Sequence, residues 1–163
     1  MDCSKWIPDS WAADTRLWFY TAQRPLTEIE QVCVLEGGSR FFKDWLAHGQ
    51  PLRAEWILPQ PQLIVLGVFP GVNASGCSLD KAAGFVGKLE NDLALDLRNR
   101  KRLVLVRAFD IFVGEAEHIH AEQDKGLGWL NIYATTAYEF RANPILKHDT
   151  PWIQRMLGAA FLP

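Results

Sequence analysis

Leu63-Ile64-Val65-Leu66-Gly67-Val68-Phe69 is apolar at every position, and Pro70-Gly71 closes it. A run of this kind reads as a central strand buried on both faces. Just upstream, Leu52 to Leu58 places Ala54, Trp56 and Leu58 at alternate positions, the pattern of a strand with one wet face. Pro59-Gln60-Pro61-Gln62 is the turn between the two.

Further out on the N-terminal side, Arg16 to Ala22 is aromatic-rich and reads as a strand that Gln23-Arg24-Pro25 ends. Thr27 with Glu30 three residues on is a capping box, and Ile29, Val32 and Cys33 continue as a helical stripe. Gly37-Gly38 is expected to interrupt this helix. Ser39 restarts it, with Phe41, Phe42, Trp45 and Leu46 inside and His48-Gly49 as its C-terminal stop. On the C-terminal side, Leu79, Ala82, Ala83, Val86, Leu89, Leu93 and Leu97 recur mostly at three- and four-residue steps, which predicts an amphipathic helix. Arg98-Asn99-Arg100-Lys101-Arg102 then leads into a strand, Leu103 to Phe109.

The order is strand, helix, strand, strand, helix, strand. It predicts an α+β fold, a ferredoxin-like βαββαβ antiparallel sandwich over residues 16–109 with the helices on one face of the sheet. The rival is a three-layer α/β fold with a parallel sheet. Residues 1–15 read as an irregular arm and residues 110–163 as an appended segment. The latter holds an acidic, histidine-bearing excursion (113–127), a strand within Trp129 to Phe140, and a C-terminal helix. That helix starts at Thr150-Pro151-Trp152 and buries Ile153, Met156 and Leu157.

With 163 residues, 48% hydrophobic and 22% charged, the chain reads as one soluble globular domain, residues 1–163. A formal net charge of -2 gives no global attraction to nucleic acid or an anionic membrane. The seven tryptophans read as core residues rather than a stacking surface. Cys3, Cys33 and Cys77 are odd in number and lack CxxC spacing, so neither a disulfide framework nor a zinc knuckle is expected. No signal-peptide profile opens the chain, and no apolar run is long enough to span a bilayer. The expected location is the cytoplasm, without a tightly bound cofactor.

Candidate chemistry concentrates at Asn73-Ala74-Ser75-Gly76-Cys77-Ser78-Leu79-Asp80, where the second helix begins. Three readings stand here. Ser75 or Ser78 caps the helix and Asp80 is a favourable first-turn acid; or Ser75, Gly76, Ser78 and Asp80 surround a small anion held on free N–H groups; or the helix dipole activates the Cys77 thiol. His48 is the candidate base for that thiol if the two helix ends meet, although no third group orients it. Gly71, Gly76 and Ser78 imitate a phosphate loop, but Cys77 stands where the lysine belongs. Glu115, Glu117, His118, His120 and Glu122 have metal-ligand types without a standard spacing and read as a solvated acidic loop, so no metal is expected. The basic cluster from Arg98 to Arg102 reads as a solvated edge. Leu63 to Val68 carries no aromatic residue, which disfavours the RNA-recognition variant of the fold.

Several segments together resemble a small family of uncharacterised bacterial proteins of about this length. They are Arg16-Leu17-Trp18-Phe19-Tyr20, Arg24-Pro25-Leu26-Thr27, and Phe42-x-x-Trp45-x-x-His48-Gly49 with Leu52. The most specific is Ser75-Gly76-Cys77-Ser78-Leu79-Asp80, followed by Leu89-Glu90, and Trp152 through Leu157 resembles the family's closing segment. Members often carry the label ABC-transporter ATPase, which Cys77 in place of the phosphate-reaching lysine argues against here. The resemblance directs attention to the turn and to His48-Gly49 without implying a reaction.

The expected function is a non-catalytic binding or interaction protein whose ligand, a small anion, sits at the helix start near Ser78. The alternative is a thiol-dependent enzyme or redox protein using Cys77 and His48. A homodimer formed through exposed sheet or tryptophan surface is a third reading.

Overall fold

A computed structural model describes residues 5–119 and 126–159; Cys3, His120 and Glu122 lie outside them. The first strand, β1 (Arg16–Thr21), is followed by α1 (Glu28–Lys43) and a two-residue hairpin, β2 (Leu46–Ala47) and β3 (Gln50–Pro51). Next come β4 (Ala54–Gln60), β5 (Leu63–Val68) and the long helix α2 (Gly76–Leu93). The C-terminal part holds β6 (Arg102–Val106), β7 (Ile111–Glu115), α3 (Ala116–Ile119), β8 (Gly128–Leu130), α4 (Ala137–Ala142), β9 (Ile145–Leu146) and α5 (Pro151–Ala159). The fold is mixed α+β, and every strand pairing among the described residues is antiparallel.

Two sheets make the frame. One has the order β1-β5-β4, the other β7-β6-β8-β9. Side chains alternate across each strand, so each sheet divides its neighbours into two cores. On the outer face of the first sheet, Trp56, Ile64, Leu66 and Val68 pack with Val34 and Phe42 of α1 and Ala82, Val86 and Leu89 of α2. On its inner face, Leu17, Phe19, Leu63 and Val65 meet Val104, Val106, Ile111, Val113 and Leu130 of the second sheet. Trp6, Ile7 and Trp11 of the N-terminal arm and Phe140 of α4 fill the same core. The far face of the second sheet, with Leu103, Leu105 and Trp129, is closed by Ile119 of α3 and by Ile153 and Leu157 of α5. The layers therefore run helices, sheet, sheet, helices. Strand β5 is apolar throughout because helices cover one face and a second sheet the other.

The strand order does not confirm a ferredoxin-like sandwich. Strands β1, β5 and β4 stand in the order that fold requires, but β6, the expected fourth strand, belongs to the second sheet. Its place beside β1 is taken. Leu17 N donates to Thr135 O at 2.9 Å, Arg16 bridges Thr136, and Ala137 N donates to Thr15 O. At the other end of β1, Arg102 Nη1 donates to Thr21 O at 2.8 Å. Arg102 is buried, so this part of the basic cluster is no solvated edge.

Local expectations also change. Helix α1 runs unbroken through Gly37-Gly38, because Gly38 is where the Trp56 indole lies against the helix; a Cβ there would stand 2.1 Å from Trp56 Cδ1. His48-Gly49 is not a helix stop. It is the tight turn of the β2–β3 hairpin, with φ of 49° and 77°, the pair of left-handed residues that a two-residue turn of the I′ kind uses. Within Trp129 to Phe140 the strand is limited to Gly128–Leu130. Residues 137–142 are helical, because Thr136 caps Glu139 N at 3.2 Å while the Glu139 carboxylate takes the Thr135 amide and hydroxyl. The Thr27–Glu30 capping box forms as its spacing predicts, and five of the seven tryptophans (6, 11, 45, 56 and 129) are buried.

Candidate functional site

The N-cap of α2 is Ser75, whose Oγ accepts from Ser78 N at 3.2 Å. Ser78 lies in the first turn, buried, with its hydroxyl donating to Ser75 O at 2.8 Å. Its carbonyl accepts from Trp45 Nε1 at 3.0 Å, which ties the end of the α1 segment to the start of α2. Leu79 N is taken by Ser75 O. The cap thus consumes most of the polar capacity of the turn. At most the Gly76 and Cys77 amides are left to face a ligand.

Cys77 and His48 are both exposed, and the hairpin that carries His48 packs near α2. Among the described residues no hydrogen bond joins them. In a Cys3→Ser/Cys33→Ser background, alkylation of Cys77 by iodoacetamide is therefore expected to proceed at the same rate with His48 or with His48→Ala. A drop of about tenfold or more on removing His48 would establish it as the base of that thiol. Among the described residues no three His, Cys, Asp or Glu side chains gather as a metal site.

Of the candidate ligand-binding residues at the turn, Asp80 opens onto a cleft, together with its neighbour Leu79. This cleft of about 340 Å³ lies along the seam between β1 and α2. Its floor is Trp18, Tyr20 and Leu66, and α2 supplies Leu79, Asp80, Ala82 and Ala83 as one wall. Arg98 and Arg100, from the loop between α2 and β6, close one end. Trp18 and Tyr20 share the cleft because they are two apart on one strand. The small side chains Ala82 and Ala83 leave the space between that strand and the helix.

The loop carrying the arginines is irregular but held at many points. Helix α2 ends with Ala94 in the left-handed conformation, and Gln23 Nε2 donates to Ala94 O at 3.1 Å. Gln23 Oε1 in turn accepts from Asp96 N at 2.8 Å. Glu90 Oε1 accepts from the amides of Leu97 and Arg98 at 2.8 and 3.0 Å, and its Oε2 accepts from Arg98 Nε at 2.7 Å. Partial burial pushes the Glu90 carboxyl up, but these bonds outweigh it and leave it below its ordinary value. Asn99 Oδ1 accepts from Lys101 N, and Tyr133 Oη donates to Arg100 O at 3.0 Å.

The two arginines are not equivalent. Arg98 is neutralised by Glu90 and lies over Gly87, whereas among the described residues no carboxylate pairs with Arg100. The Arg100 charge is felt by two phenols. Burial raises the Tyr20 pKa, against the opposing pull of Arg100 and Arg98, and burial raises that of Tyr133, against Arg100. On the other side, the Arg16 guanidinium lies 4.8 Å over the Trp18 ring and holds the indole in place.

Trp18, Tyr20, Arg98 and Arg100 were legible only as strand and edge residues. Arg98 and Arg100 stood in a conspicuous basic run, but the aromatic floor they face comes from a strand far away in the chain. No family model, no curated protein and no solved structure matches this chain. Among the described residues, no helix is long and apolar enough to cross a membrane.

Proposed function

We propose that the chain is a non-catalytic binding protein for a small anion, and that the anion is held in the cleft between β1 and α2 rather than on the first amides of α2. The observation that carries this reading is Arg100. It is a guanidinium with no carboxylate partner among the described residues, on a backbone fixed by Tyr133, at the end of an aromatic-floored cleft. A cleft near 340 Å³ stands at the small end of the range of about 300–1,000 Å³ typical of ligand pockets. A loop already held in place loses little further freedom on binding, which favours affinity. The helix side of the site begins just after Ser78, with Leu79 and Asp80, while Ser75, Gly76, Cys77 and Ser78 build the cap beneath.

Phenyl phosphate is the test probe, titrated into the ¹⁵N-labelled protein and followed by NMR. The expected result is movement of the Trp18 indole and Arg100 amide signals, with binding weakened about tenfold or more by Arg100→Ala, as for loss of a charge-assisted hydrogen bond. Equal binding by the Arg100→Ala variant would remove Arg100 as the anion's partner.

A further inference from the structure

We infer that the ligand of this cleft is a flat aromatic molecule with an anionic group at one end and an N–H or O–H donor at the other, lying lengthwise along the seam. The inference rests on the anion-site reading and adds the rest of the ligand to it.

The orientation follows from the topology. Strand β5 is followed, after residues 69–75, by α2, whose C-terminal end is tied to Gln23 beyond the end of β1. Strand β1 runs antiparallel to β5, so α2 starts toward the Arg16–Trp18 end. The N-terminal turn of α2, with Asp80, is thus at the Trp18 end of the cleft. The C-terminal half of α2 is at the Tyr20 end, where Gln23 ties Ala94 and Asp96 to the chain leaving β1. Arg98 crosses α2 at Gly87 and Glu90. Seven residues of helix, at about 1.5 Å each, separate Asp80 from Gly87 by about 10 Å along the axis. Between the two ends the lining is apolar and aromatic: Trp18, Leu66, Leu79, Ala82, Ala83 and the Tyr20 ring.

Charge sets the polarity of the occupant. At the Tyr20 end a cation without a carboxylate partner awaits an anion. At the Trp18 end Asp80 is exposed, and among the described residues no cation pairs with it. The other charge at this end, the Arg16 guanidinium, lies over the Trp18 ring and is not part of the lining. Inside the cleft the Asp80 carboxylate therefore repels an anionic head, accepts from a donor and favours the ligand with its donor at this end. The aromatic floor between them favours a π-faced body over an aliphatic one. A para-substituted ring with its two polar groups suits the distance between the ends.

Three probes separate the parts: inorganic phosphate, phenyl phosphate and 4-aminophenyl phosphate, each titrated by NMR into the wild-type chain and the Asp80→Ala variant. The expected order is 4-aminophenyl phosphate tightest and inorganic phosphate weakest, with about threefold or more between successive probes. Asp80→Ala is expected to abolish the advantage of the amino group while leaving phenyl phosphate bound. If phenyl phosphate binds no better than inorganic phosphate, or if the amino group's advantage survives Asp80→Ala, the inference fails and the anion site stands. If none of the three moves the cleft signals, the anion site fails with it.

Discussion

The double variant Gly38→Ala/Trp56→Ala is expected to be at least as stable as Trp56→Ala alone, although each single change lowers stability. Trp56 is 7% exposed and touches the rings of Phe42, Tyr20 and Phe85, and its Nε1 donates to Val34 O at 3.1 Å. Truncating it empties the centre of the outer core, at a cost of about 4 kcal/mol. Gly38→Ala leaves the indole no room, since the new Cβ would stand 2.1–2.6 Å from three of its atoms. Overpacking of this kind costs about 1–3 kcal/mol, and the better helix propensity of alanine recovers about 1 kcal/mol of it. With the indole gone the clash disappears and the propensity gain remains. Urea unfolding of the four proteins checks this cycle. Additive losses would show that the glycine is not there for the tryptophan.

Arg102→Met is expected to lower stability by about 3 kcal/mol, while Asp96→Asn costs about 1 kcal/mol. The guanidinium is 5% exposed and joins the two sheets. From the start of β6 it donates to Thr21 O at the end of β1, to Asp96 O at 2.6 Å and to Asp96 Oδ2 at 2.5 Å. Removing it leaves two carbonyls without their donor. Removing the Asp96 charge leaves Arg102 still bonded to both, and the Asp96 side chain is itself 51% exposed, so solvent already screens that pair. Lysine at 102 is not expected to rescue the loss, because an ammonium cannot span the same fork of acceptors. Equal costs for Arg102→Met and Asp96→Asn would locate the stabilisation in the ion pair and not in the bridge between sheets.

Much of the chain was legible where one short window carries its own physics. Thr27 and Glu30 form a capping box from any starting point, because both bonds are local. The stripe of α2 and the all-apolar β5 announce burial by periodicity. Local signals failed where two readings share one chemistry. Gly37-Gly38 looks like a helix break, and the tryptophan that makes glycine necessary is on another element. His48-Gly49 marks two left-handed residues, which suits a helix end as well as a hairpin turn. At Thr136 the cap was present in the sequence, with Glu139 three residues on, but threonine and aromatic content weighed it toward strand.

The candidate site divides in the same way. The cap at Ser75 is a property of one turn and could be read there. The cleft is a property of the seam between β1 and α2, with arginines from a loop that Gln23, Glu90 and Tyr133 hold in place. No single window contains it.

By itself the sequence determined which segments bury which faces, since periodicity and capping follow from backbone geometry within a few residues. It also determined that residue 77 is a cysteine where a phosphate loop needs lysine. Only the tertiary structure decided where β6 goes and what stands beside Trp18 and Tyr20. The edge of β1 was open to more than one partner. Residues 135–137 and the buried Arg102 guanidinium filled it, and β6 paired with β7 and β8 instead. Backbone groups at a strand edge accept any strand or loop of fitting register, so long-range packing makes that choice.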